Sequence, residues 1–76
     1  MNNTRRKRIN TVVSKLNELS EELESIRDEE QEAYDNLPES LQEAERGEAI
    51  QEAIDALDEA VDNISSALDN LEQASA

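Results

Sequence analysis

The chain has 76 residues, a formal net charge of −13, and no Cys or His. Disulfides, imidazole metal ligands and the Ser–His or Cys–His pairs of many hydrolases are therefore excluded. No apolar run approaches the ~20 residues that span a bilayer, and no apolar segment follows the basic start as in a signal peptide. We expect a single soluble domain in the cytoplasm, with no cofactor and no enzymatic activity.

The first predicted element is a long helix with one apolar seam, in which Glu30 is the only interruption. The seam residues are spaced alternately three and four apart: Ile9, Val12, Leu16, Leu19, Leu23, Ile26, Ala33 and Leu37. This spacing predicts an a/d heptad seam, which a helix buries against another helix. Helix one is predicted to begin near Thr4, with Asn3 or Thr4 as its N-cap, and to end near residue 34.

A turn is predicted at residues 35–40, followed by helix two over about residues 38–73. Pro38 disfavours helical geometry at Leu37 and suits the first turn of a new helix. Gly47 is the only glycine of the chain. We expect helix two to break or kink near it.

Helix two carries two rows of large apolar residues and a column of alanines, each at seven-residue spacing. The rows are Ile50, Leu57, Ile64, Leu71 and Ile54, Val61, Leu68, and the column is Ala53, Ala60, Ala67 and Ala74. We expect the alanine column to lie between the two rows, where its small residues permit close helix approach. The two rows can then contact two different neighbours.

One predicted neighbour of helix two is helix one, and the other is most simply a second subunit. The oligomer interface is expected at Leu57, Val61, Ile64 and Leu68. The predicted fold is all-α, a long helical hairpin, or antiparallel coiled coil, that assembles into a multi-helix bundle. A homodimer is favoured over a larger cyclic or dihedral oligomer.

The negative charge is concentrated in the second half of the chain. Residues 1–27 hold six basic and four acidic side chains, whereas residues 28–76 hold one basic and sixteen acidic ones. One interpretation is a solvated surface that keeps a small oligomer soluble. The other is a surface that imitates nucleic acid, on the face with Asp55, Asp58, Asp62 and Asp69. The same net charge disfavours direct binding to duplex DNA or RNA.

Two clusters are candidate ligand sites. The run Arg5, Arg6, Lys7, Arg8 opens helix one, where it could complement the acidic end of helix two or bind phosphate through guanidinium groups and free N–H groups. At the hairpin tip, Tyr34 lies near Arg27 and Arg46, and could pack the turn or stack on a base. No metal site is predicted, because inward-facing Glu-x-x-His motifs are absent.

The segment Glu29–Ser40, with Glu45-Arg46-Gly47-Glu48 and the Arg-rich start, resembles a group of short acidic helical proteins. These proteins occur in phages and prophages of Gram-positive bacteria. The group has no established activity, so the resemblance implies no site residues. It implies a phage setting in a host cell, where small oligomeric proteins block host defences by binding a host protein or sequestering a nucleotide signal.

The sequence thus favours a non-enzymatic binding protein with itself as one partner. The expected ligand is a small anionic nucleotide, held by Arg5, Arg6 and Arg8 at an oligomer interface, with Tyr34 and Arg46 as further candidates. Two alternatives remain open. One is an acidic mimic of nucleic acid that inhibits a host DNA- or RNA-binding protein, and the other is a structural coiled-coil oligomer without a ligand.

Overall fold

The computed structural model describes all 76 residues and contains helices but no strand. Helix α1 covers Asn3–Asp35, α2 covers Glu39–Gln42 and α3 covers Glu45–Ala74. The two long helices pack side by side in a rod of 58 × 15 × 12 Å. They run antiparallel, because the start of α1 reaches the end of α3. The predicted all-α helical hairpin is confirmed, and its assembly into a bundle stays a prediction.

The amino end of α1 is capped one residue before the predicted positions. Oδ1 of Asn2 accepts a hydrogen bond of 2.9 Å from the backbone N–H of Arg5. This bond satisfies one of the N–H groups that a helix start leaves without a partner. Neither Asn3 nor Thr4 is the N-cap, since both lie inside the first turn.

The turn between the long helices is held by the side chain of Gln42. Its Nε2 donates to the backbone oxygens of Tyr34 at 3.1 Å and Leu37 at 3.2 Å. These two carbonyls lie at the end of α1, so one side chain ties α2 to the helix that precedes it.

The break in the second arm lies at Glu43–Ala44, before Gly47. Ala44 has an extended backbone, with φ −89° and ψ 175°. Gly47 is buried in the first turn of α3, and a Cβ there would collide with the carbonyl oxygen of Gln42. Glycine is therefore needed for the close approach of α2 to α3. The break that the sequence predicts near Gly47 lies three to four residues before it, at Glu43–Ala44, and Gly47 itself continues α3 without a kink.

The face of α1 that contacts α3 differs from the predicted seam by one row. The partly buried positions of α1 are Arg6, Ile9, Val13, Leu16, Ser20, Leu23, Arg27, Glu30, Gln31 and Tyr34, and Leu37 after it is also partly buried. By contrast, Val12, Leu19 and Ile26 are 46, 57 and 39% exposed. The predicted a/d seam is therefore only half covered within one chain, because α3 packs on the side of Val13 and not on the side of Val12.

The alanine column of α3 does not lie between the two apolar rows. At 100° per residue the row of Leu57 is the direct neighbour of the row of Ile54, and the column of Ala60 lies on the far side of the Leu57 row. Ile54 is the only hydrophobic residue that is fully buried, with 3% exposure. The column thus flanks the contact with α1, where Ala53, Ala60 and Ala67 are partly buried.

Candidate functional site

The largest cavity is an open groove between the first turns of α1 and the last turn of α3. Its volume is about 500 Å³, and its lining residues are Met1, Arg5, Arg8, Ile9, Thr11, Val12 and Leu71. The groove therefore combines an apolar floor with two guanidinium groups.

Helical geometry divides the predicted arginine cluster between two sides of α1. Arg5 and Arg8 are three residues apart and share one face, whereas Arg6 is rotated by about 100°. Arg6 donates from Nη1 to Oδ1 of Asn3 at 3.2 Å and from Nη2 to the backbone oxygen of Ala76 at 3.4 Å. Arg6 therefore links the two chain ends and does not line the groove. Arg5 and Arg8 remain as the groove's cations.

The two groove arginines have no acidic partner within the chain, although the net charge is −13. The ion pairs of the structure both involve Arg27, which contacts Asp28 at 3.2 Å and Asp58 at 2.8 Å. Arg5 and Arg8 can therefore offer their full hydrogen-bonding capacity to an anion, and their planar groups suit bidentate contact with phosphate or carboxylate.

The apolar residues of the groove were not among the predicted site residues. Ile9 follows Arg5 by four positions and Val12 follows Arg8 by four, so the helix places each beside an arginine. This signal was present in the sequence. Leu71 could not be assigned in the same way, because its place beside Val12 depends on the register of α3 against α1.

The structure does not bring the hairpin tip to the arginine groove. Tyr34 lies 29 positions after Arg5 on the same helix, which corresponds to about 40 Å. Tyr34 is half-buried at the turn, and Arg46 is exposed in the first turn of α3. Within one chain, these two residues and the groove arginines form separate surfaces.

The predicted acidic face is present on α3 but is not uniformly free. Asp55, Asp62 and Asp69 are exposed at seven-residue spacing, about 10 Å apart along the helix. Asp58 is half-exposed and forms an ion pair with the guanidinium of Arg27. No group of three or more acidic side chains is arranged to hold a metal ion.

The four residues predicted at the oligomer interface belong to two rows with different neighbours. Val61 lies beside Arg27, and Leu68 lies beside Val13, so α1 already contacts this row. Leu57 and Ile64 share the row of Leu71, which borders the open groove.

Comparisons with protein-family models, with curated proteins and with solved structures give no match. None of the helices is both long and apolar enough to cross a membrane.

Proposed function

We propose that this protein acts without catalysis, as a homo-oligomer that captures a small anionic ligand in the groove of Arg5 and Arg8. The observation that carries the proposal is the pairing of two unpartnered guanidiniums with the apolar side chains of Ile9, Val12 and Leu71. An anion that also has an apolar or planar part would contact both surfaces. Nucleotides have this character, because phosphate accepts the guanidinium bonds and the base packs on apolar side chains.

The resemblance to phage proteins supplies a setting for such binding. In an infected host cell, a small protein that holds a nucleotide signal would keep that signal from its receptor. The amount of protein and its affinity would then decide how much signal remains free.

Calorimetric titration with cyclic dinucleotides, cyclic trinucleotides and ADP-ribose tests the proposal. We expect one of these classes to bind and the Arg5→Ala variant to lose roughly 10- to 100-fold in affinity, as a charge-assisted hydrogen bond of about 1.5–3 kcal/mol implies. Arg6→Ala is the matched control, since Arg6 is the adjacent arginine on another side of the helix. Equal losses in both variants, or no binder in the panel, would count against capture at this groove.

A second candidate function is imitation of nucleic acid by the row of Asp55, Asp62 and Asp69. Their exposure supports it, because a partner's basic surface could reach all three. The substitutions Asp55→Lys and Asp62→Lys would then abolish inhibition of a nucleic-acid-binding target, whereas Arg5→Ala would preserve it. The opposite pattern favours ligand capture.

A further inference from the structure

One side of the hairpin is an apolar surface that the chain itself covers only in part, here called the apolar face. Its α1 residues, Val12, Leu19 and Ile26, are exposed, and its α3 residues are partly buried: Leu57, Ile64, Leu71, Ala53, Ala60 and Ala67. Leu19 at its centre is 57% exposed. We propose that a second copy of this chain covers the apolar face, with its α1 antiparallel to the first and a twofold axis at Leu19. This deepens the homo-oligomer of the proposed function.

The distribution of charge on α3 supports contact with more than one long helix. Every Asp and Glu of α3 falls on three of the seven heptad positions. The first position holds Glu48, Asp55, Asp62 and Asp69, the second holds Asp58 and Glu72, and the third holds Glu45, Glu52 and Glu59. The other four positions carry no acid, in a strongly acidic chain. They cover about half of the helix circumference, whereas α1 occupies only part of that arc. In the remainder, the column of Ala53, Ala60 and Ala67 is apolar and partly buried, as at the edge of a second contact, whereas Asn63 and Asn70 beyond it are exposed.

The solvent-exposed area of the single hairpin is larger than that of a compact monomer, as expected if a partner covers part of it. The hairpin exposes 5691 Å². A compact monomer of 8.5 kDa exposes about 4,700 Å² by the usual scaling of area with mass. The difference, about 1,000 Å² per chain, is of the size that each partner buries in a stable interface, about 800 Å².

The charges beside the apolar face indicate that its partner is a second copy of this chain and that the two α1 helices run antiparallel. The row that flanks Val12 and Leu19 on α1 reads Arg8, Lys15, Glu22, Glu29 at seven-residue spacing. In an antiparallel pair of α1 helices, Arg8 lies opposite the partner's Glu29 and Lys15 lies opposite the partner's Glu22. Two cations followed by two anions make this row complementary to its own antiparallel copy. Parallel copies bring no such set of opposite charges together.

The apolar residues give a centre within half a residue of that of the charges, which lies between residues 18 and 19. Val12 and Ile26 are equidistant from Leu19, so an axis at Leu19 places Val12 opposite the partner's Ile26 and Leu19 opposite the partner's Leu19, and it offsets each charge pair by one residue. The contacts of Arg6 with Ala76 and of Arg27 with Asp58 put Leu19 level with residues 63–66 of α3. That level is close to the midpoint between Ala60 and Ala67.

The resulting dimer is an antiparallel four-helix bundle. Its core buries the complete a/d seam of α1. Its two α3 helices approach each other at their alanine columns, where small side chains permit a short distance between the helix axes. Arg8 acquires a carboxylate partner in this dimer, and Val12 and Leu71 of the groove become part of its interface. Arg5 lies opposite the partner's Ala33 and keeps no acidic partner, so the dimer narrows the ligand site of the proposed function to Arg5.

Disulfide crosslinking tests the geometry directly, because the chain contains no cysteine. Leu19→Cys should form a covalent dimer under mild oxidation, since the two introduced thiols meet on the axis. Val12→Cys alone and Ile26→Cys alone should not crosslink, but an equimolar mixture of the two variants should. Ser14→Cys, on the outer side of α1, is the control for random collision.

Each other outcome overturns the inference. Efficient crosslinking of Val12→Cys with itself would show a parallel pair, and a monomeric mass by light scattering at micromolar concentration would show no pair at all. Charge exchange gives a second test that leaves the core intact. Lys15→Glu and Glu22→Lys should each weaken the dimer about three- to tenfold, and the double variant should recover the wild-type dissociation constant.

The crosslinking result is separate from ligand capture. A monomer that still binds a nucleotide through Arg5 overturns the dimer and leaves the proposed ligand site. A crosslinked dimer that binds no nucleotide supports the dimer and overturns the proposed ligand site.

Discussion

Nε of Arg27 lies 2.8 Å from Oδ1 of Asp58, and this is the ion pair that joins α1 to α3. The pair lies on the side of the hairpin opposite the groove, beside Val61. It therefore lies on the side where α3 contacts the row of Val13 and Arg27, and the exposed row of Leu19 lies on the other side.

The Arg27–Asp58 pair should stabilise the fold only slightly. The two side chains are 39 and 49% exposed, so solvent screens their attraction. A double-mutant cycle with Arg27→Gln and Asp58→Asn should give a coupling of about 0.2–1 kcal/mol in thermal melts at one protein concentration. Asp28→Asn is the control, because Asp28 contacts Arg27 without bridging the helices. A coupling above about 2 kcal/mol would show that the pair is far better shielded than its exposure indicates.

Gly47→Ala should destabilise the protein although alanine is the better helix former. The new Cβ would collide with the backbone of Gln42 and force α2 away from α3. Overpacking of this kind costs about 1–3 kcal/mol, which outweighs a propensity gain of about 1 kcal/mol. The melting temperature should fall, by several degrees for a net loss of about 1 kcal/mol. A rise in melting temperature would contradict the close packing at this position.

Gln42→Glu should weaken the turn with almost no change in side-chain size. The substitution removes the Nε2 donor and places a carboxylate against the carbonyl oxygens of Tyr34 and Leu37. Loss of two such bonds costs about 1–3 kcal/mol. Glu43→Gln is the matched control at the neighbouring exposed position, and it should leave the melting temperature nearly unchanged. Equal melting temperatures for Gln42→Glu and wild type would show that these bonds contribute nothing.

Salt should stabilise the folded protein. The net charge of −13 produces repulsion that is strongest at low ionic strength, and added salt screens it. Raising sodium chloride from about 10 mM, where the Debye length is about 30 Å, to about 150 mM, where it is about 8 Å, should raise the melting temperature. If the temperature falls over this range, favourable ion pairs dominate over repulsion.

The sequence predicts the helices well because its apolar residues recur with the period of a helix. It does not reveal which neighbouring helix covers each apolar row. The heptad spacing correctly predicts that Ile9 and Leu16 face α3, but Ser20 and Arg27 are polar, and nothing in the sequence indicates that they also lie at this contact. The same spacing places the row of Leu19 at the hairpin contact, because the sequence of one helix does not distinguish a partner helix in the same chain from one in another chain.

The candidate site was predictable only where it depends on one helix. The shared face of Arg5 and Arg8, and the different direction of Arg6, follow from 100° per residue. The contact of Arg6 with Ala76 and the place of Leu71 in the groove require the register between helices, which no local pattern supplies. The role of Gln42 was not predictable, because its bonds depend on the path of the turn.

Tyr34 is the only aromatic residue of the chain, and it is half-buried at the closed end of the rod. Its fluorescence therefore reports on the turn alone, whereas circular dichroism averages over both long helices. The unaltered protein thus carries a local optical probe at one end of a 58 Å molecule. A melt followed by both signals will show whether the hairpin opens from its tip or unfolds as one unit.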